Sequence, residues 1–191
     1  MNRTGIVSAA VVGVVATGTA RRLLEVRQTR RGDAAPLGPA TRTVTGRQGP
    51  LASRVDTWAP APPRSQAGRI AAAAWAAPLT TFGALLAAAG GARATWDARR
   101  GCWVATDVRG PSGVLLRALG LTANAIGQVV VVRTGRPSEA LLDHEVVHVR
   151  QAERLGPLLL PLYAWFSARY GYRENPLERG ARHGASLADA G

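Results

Sequence analysis

The feature that most constrains this chain is a pair of histidines four residues apart, in His144-Glu-Val-Val-His148. On a helix that spacing sets two imidazoles one turn apart on the same face. The flanking residues predict such a helix. Pro137 and Ser138 supply a start, with Ser138 as N-cap and Glu139 in the first turn, and Gly156 followed by Pro157 supplies a stop. Leu141, Leu142, Val146, Val149, Ala152 and Leu155 provide its apolar contacts, while Asp143, Arg150 and Arg154 are expected on the solvent side. The stripe Leu141, His144, His148, Gln151, Leu155 runs along a largely apolar surface, where unpaired imidazoles are costly. His144 and His148 are therefore read as ligands of one divalent metal ion, zinc by donor type. Glu145 sits beside that face, where a carboxylate can serve as general base towards water at the ion. Gln151, one turn beyond His148, is read as a residue that orients a ligand.

Two imidazoles leave the ion short of protein ligands. Glu178, in Asn175-Pro-Leu-Glu178, is the leading third ligand. The same segment also reads as a helix start, with Asn175 at the N-cap, Pro176 at the first helical position and Glu178 in a capping box. Ligand and cap are compatible, because a first-turn glutamate can face inward. His183 is the reserve ligand. Tyr163, Tyr170 and Tyr172 are possible hydrogen-bond donors to a reacting substrate, and each also suits an interfacial or core position. Cys102 is the only cysteine, which excludes an intrachain disulfide and a cysteine-based zinc ribbon.

All 24 cationic side chains are arginine and the net charge is +12 over 191 residues, yet mean hydropathy is zero. The apolar residues must therefore be gathered into segments. Residues 1–20 contain the uncharged run 5–20, followed at once by Arg21 and Arg22, and read as a short signal anchor with a cytoplasmic basic flank. Residues 21–69 hold ten arginines against three acids, punctuated by prolines, and read as an unstructured basic linker. Residues 70–185 are expected to form the single domain and 186–191 a tail. Within the domain the uncharged segment 71–91 could span a bilayer, or lie buried or interfacial. Positive charge attracts anionic lipid headgroups, so membrane lipid is an expected partner. No nucleic-acid-binding motif accompanies the charge, and nucleic acid is not an expected partner.

Ala94–Asp97 and Cys102–Val108 alternate in a strand-like way around a turn at 98–101, and Gln128–Arg133 is the clearest strand in the chain. Residues 114–126 are compatible with either helix or strand. The expected fold is α+β and mostly helical, with a small antiparallel sheet packed on the metal helix and one or two hydrophobic helices.

The segments Ala77 to Gly83, Ala125 to Val130, His144 to Gln151, Leu155 to Pro157, Pro161 to Tyr163 and Asn175 to Glu178 together resemble a bacterial family of membrane-associated proteins. Its members couple hydrophobic segments to a His-Glu-x-x-His-x-x-Gln helix and a later Asn-Pro-x-Glu. The likeness covers residues 68–182 and is also similar to gluzincin-type metallopeptidases. It implies a zincin-like domain with one zinc ion on His144, His148 and Glu178, and Glu145 as base. It further implies association with the bacterial cell membrane; a peptide or protein substrate goes with the leading functional expectation and not with the likeness. One departure stands out: where members carry Gly-His before the valine run, this chain has Gly127-Gln128. The leading expectation is a membrane-associated zinc metallohydrolase of peptidase type. Two alternatives stay open: a non-catalytic membrane protein with a structural metal, and a basic envelope or membrane adaptor in which the histidine motif is incidental.

Overall fold

The computed structural model describes residues 49–188. The signal anchor expected over 1–20, residues 21–48 of the expected linker and the last three residues of the expected tail lie outside the described residues. In chain order the elements are α1 (Pro50–Val55), α2 (Gln66–Ala89), β1 (Ala94–Asp97), β2 (Cys102–Ala105), α3 (Gly110–Ala118), β3 (Ala123–Ile126), β4 (Val129–Val132), α4 (Glu139–Leu155), α5 (Leu159–Tyr170) and α6 (Pro176–Ala188). A 3₁₀ turn, Gly156–Leu158, joins α4 to α5.

The four valines of β4 organise the core, because all four are buried. Val129 and Val131 join a cluster with Leu79 and Ala87 of α2, whereas Val130 and Val132 join one with Leu142 and Val149 of α4. A strand covered on both faces needs apolar residues at every position rather than at alternate ones. The result is three layers: α2, the sheet, and α4. Helix α6 then packs along α4.

The sheet is mixed, which corrects the expectation of an antiparallel one. Its spatial order is β1-β2-β4-β3. β1 and β2 form the expected hairpin, with Asp97 opposite Cys102, and β3 pairs antiparallel with β4. β2 and β4, however, run parallel, Trp103 lying beside Val129. Parallel neighbours need a long connection. The stretch 114–126 supplies it by dividing into the end of α3 and the edge strand β3.

Helix α2 starts at Ser65, whose Oγ accepts from the Gly68 N–H at 3.0 Å. It is the one helix among the described residues long and apolar enough to cross a membrane. Ala72, Ala76, Leu79, Gly83 and Ala87 form its buried stripe. The β3–β4 turn locks onto its middle. Gly127 has φ +62°, and a Cβ there would lie 2.3 Å from the Thr80 nitrogen. The Gln128 N–H donates to Thr80 Oγ1 at 3.0 Å.

Two further expectations are corrected. The segment 49–65, expected to be part of an unstructured linker, is packed: Ala52 and Val55 are buried, and Arg179 of α6 pairs with Asp56 at 2.5 Å. A few apolar residues among the arginines suffice to cover α6, where Gly180 admits the Trp58 backbone at close range. Arg150, expected on the solvent side of α4, is buried. Its Nη1 donates to both Glu153 oxygens, at 2.7 and 2.8 Å, and its Nη2 donates to the Arg100 carbonyl in the β1–β2 turn. Glu153 also accepts from Gln128 Nε2 at 2.8 Å. The cation is held because Glu153, one turn along the same helix, supplies the counter-charge and the β1–β2 turn supplies carbonyl acceptors that helix periodicity does not reveal. Helix α6 also runs past residue 185, to Ala188.

Gly127→Ala is expected to destabilise the fold by about 1–3 kcal/mol, since it combines a positive φ with a backbone clash. Urea unfolding of the purified chain measures this; an unchanged midpoint would mean the turn can move off α2 freely.

Candidate metal centre

Three elements bring the site together. Helix α4 carries His144, Glu145, His148 and Gln151, and its start is fixed as expected, the Ser138 Oγ accepting from the Leu141 N–H at 3.3 Å. Its end is set by Gly156, with φ +53°, where a Cβ would run into the Trp75 ring at 2.6 Å. Glu178 comes from the first turn of α6. Asn175 caps that helix, its Oδ1 accepting from the Leu177 N–H at 3.0 Å, while its Nδ2 donates to Ser167 Oγ at 2.9 Å. The carboxylate of Glu178 turns to the histidines.

One Glu178 oxygen lies 3.5 Å from His144 Nε2 and the other 3.5 Å from His148 Nε2. The ligand atoms of the three residues all fall within 4.8 Å of one another. At zinc bond lengths of about 2.0–2.1 Å, ligand atoms sit about 3.3 Å apart around a tetrahedron. These separations are long for hydrogen bonds and close to that edge length. Glu178 Oε2 is buried without a hydrogen-bond partner. Two imidazole nitrogens and a carboxylate are a donor set suited to zinc, so the residues fit the ion the motif implies.

The orientation of His148 follows from Gln151, which is completely buried. The Gln151 Nε2 donates to the carbonyls of Leu177, at 3.1 Å, and Trp58, at 3.3 Å. Its Oε1 is therefore the atom facing His148 Nδ1 at 2.9 Å, so Nδ1 must carry the proton. That makes Nε2 the nitrogen that faces Glu178, and the one a metal ion would take once its proton leaves. The Gln151 side chain thus joins the His148 ring to the Leu177 and Trp58 carbonyls.

Tyr163 of α5 was one of three tyrosines that sequence could not separate. Its hydroxyl donates to Glu178 Oε1 at 2.5 Å, and its ring meets that of His148 edge to face. No local spacing signals this, because the contact joins separate helices. Tyr170 instead stacks on Phe166, and His183 is half-buried outside the three-ligand cluster. Cys102 is buried in β2, and burial pushes its thiol up to about 11.

Glu145 is buried beside the cluster, and one of its oxygens has no hydrogen-bond partner. Burial pushes its carboxyl above the usual carboxylate range, offset in part by the nearby His148 and His144 and by the Ala125 backbone of β3. His148 resists the desolvation that would lower its pKa, because Glu178 beside it holds the proton on, up to about 9. Glu178 in turn is held well below the ordinary value by the two histidines, despite its own burial.

Two outcomes follow. Zinc must displace the His148 proton, so between pH 6.5 and about 9 apparent zinc affinity should rise about tenfold per pH unit. Above that range it should level off, and zinc addition at neutral pH should release a proton measurable in weak buffer. A flat affinity profile would contradict the pairing of His148 with Glu178. Gln151→Ala should weaken zinc binding about 10–100-fold by freeing the His148 ring, as read by competition with a chromogenic chelator.

No family model, no curated protein and no solved structure matches this chain, so the reading of the site rests on its own geometry.

Proposed function

We propose that this chain is a membrane-associated, zincin-like zinc metallohydrolase that cleaves peptide bonds. The observation that carries the proposal is the position of Glu145. Its buried carboxylate oxygen, without a hydrogen-bond partner, adjoins a cluster of three ligand groups among the described residues. Three protein ligands leave a tetrahedral ion one position for water or substrate, whereas structural sites close the fourth with protein.

A zinc ion on His144, His148 and Glu178 would supply Lewis acidity, polarising a carbonyl and acidifying water. The protein's own groups account for the rest. Glu145 has a raised proton affinity, which suits a base that takes a proton from water and delivers it to a leaving amine. Tyr163 restrains the Glu178 carboxylate, and Gln151 fixes the His148 ring. The edge strand β3 borders the site, and an extended peptide is the substrate shape that such an edge favours.

The test pairs metal analysis with proteolysis. His148→Ala should lose zinc. Glu145→Gln should keep zinc and fold, yet lose roughly 10²–10⁴-fold in cleavage of an unstructured protein substrate. Full activity in Glu145→Gln would rule out the hydrolase reading, and unchanged zinc content in His148→Ala would rule out the site.

A further inference from the structure

Helix α2 meets the length and composition of a bilayer span, but its surroundings do not suit one. A helix of 24 residues is about 36 Å long. If it crossed a membrane, whatever binds its middle would lie at mid-bilayer depth. Its middle is bound to the sheet: Thr80 holds the β3–β4 turn through the Gln128 N–H, and a Cβ on Gly83 would lie 2.6 Å from the Ile126 carbonyl and 3.0 Å from the Val129 Cβ. The same turn carries Gln128 to the buried Glu153–Arg150 pair. A span would therefore draw an open sheet edge and an ion pair into hydrocarbon. Lipid-exposed sheet edges do not occur there, because their backbone groups would go unsatisfied.

The other side of α2 faces away from the protein. Ile70 is 63% exposed and Leu85 62%, with Trp75 and Phe82 also exposed along the helix. The sheet carries a pair of exposed tryptophans, Trp96 and Trp103, whose rings meet edge to face at 5.3 Å. Trp96 is the cross-strand partner of Trp103, and Trp103 the partner of Val129. Strand partners share a face of the sheet, and Val129 faces Gly83 of α2. The tryptophans therefore project on the same side of the sheet as α2.

From residue 57 to 96 there is no acidic residue, while Arg64 and Arg93 flank the helix and Arg69 sits in its first turn. The chain as a whole carries +12. Apolar side chains with tryptophan and arginine at their margin match the acyl boundary of a membrane of opposite charge.

We infer that α2, with Trp96 and Trp103, is a docking surface for the face of an anionic bilayer, lying in the plane of the headgroups and not crossing them. The site on α4 then stays on the membrane side where the domain resides. This inference rests on α2 and the sheet, and holds whether or not the metal centre is catalytic.

The test uses the full chain in vesicles of equal phosphatidylglycerol and phosphatidylcholine, with single cysteines introduced in a Cys102→Ala background. A membrane-impermeant maleimide should label Gln66→Cys and Ala89→Cys, at the two ends of α2, from the same side of the vesicle. A nitroxide on Phe82→Cys, and separately on Leu85→Cys, should collide with oxygen in preference to a water-soluble nickel chelate. Both positions are exposed, so neither change disturbs packing. Labelling of the two ends from opposite sides would overturn the inference in favour of a span. Nitroxides that collide freely with the nickel chelate would overturn it in favour of a face in water. Equal nitroxide burial in vesicles of phosphatidylcholine alone would overturn the assignment to anionic lipid.

Discussion

The side chain of Gln151 is wholly enclosed, and its two ends are committed to three stretches of chain: the His148 ring, the Leu177 carbonyl at the start of α6, and the Trp58 carbonyl after α1. An amide in that position can neither rotate nor shed a partner without leaving a buried polar group unpaired, at a cost of about 1–3 kcal/mol. It therefore fixes at once which nitrogen of His148 is free and where the first turn of α6 begins. The place of Glu178 follows from the second, since Asn175 and Tyr163 then need only trim its approach.

The opposite edge of α4 has a comparable anchor. Gln128, Glu153, Arg150 and the carbonyls of the β1–β2 turn form a continuous hydrogen-bonded chain, buried at the Glu153–Arg150 pair. Removing one member of such a network leaves an uncompensated charge, which costs more than the intact network contributes. The amide of Gln128 is occupied with Glu153. The metal helix is thus held on one side by the sheet turns and on the other by α6. A ligand set assembled from two helices keeps its geometry when both helices are restrained in this way.

These restraints bear on the membrane. Because the β3–β4 turn ties α2 to the sheet, and the sheet covers α4, whatever positions α2 positions the metal centre with it. A domain seated on a bilayer through one helix face would hold the His144–His148–Glu178 cluster at a fixed position relative to the membrane surface.

Residue order alone determined what depends on near neighbours. The ends of α4, its paired histidines, the β1–β2 hairpin and the valine strand all follow from caps, turns and periodicity within a few residues. Glu178 was legible as a candidate because Asn-Pro-x-Glu is itself a local pattern, although its second role as a cap could not be separated from the first. Other features needed the folded chain. The parallel pairing of β2 with β4, the burial of Arg150, the packing of 49–65 and the hold of Tyr163 on Glu178 each join residues far apart in sequence. Their partners are backbone carbonyls or single side chains with no fixed spacing. Only tertiary structure decides such contacts, because their energy comes from satisfying buried polar groups wherever the fold happens to bring acceptors.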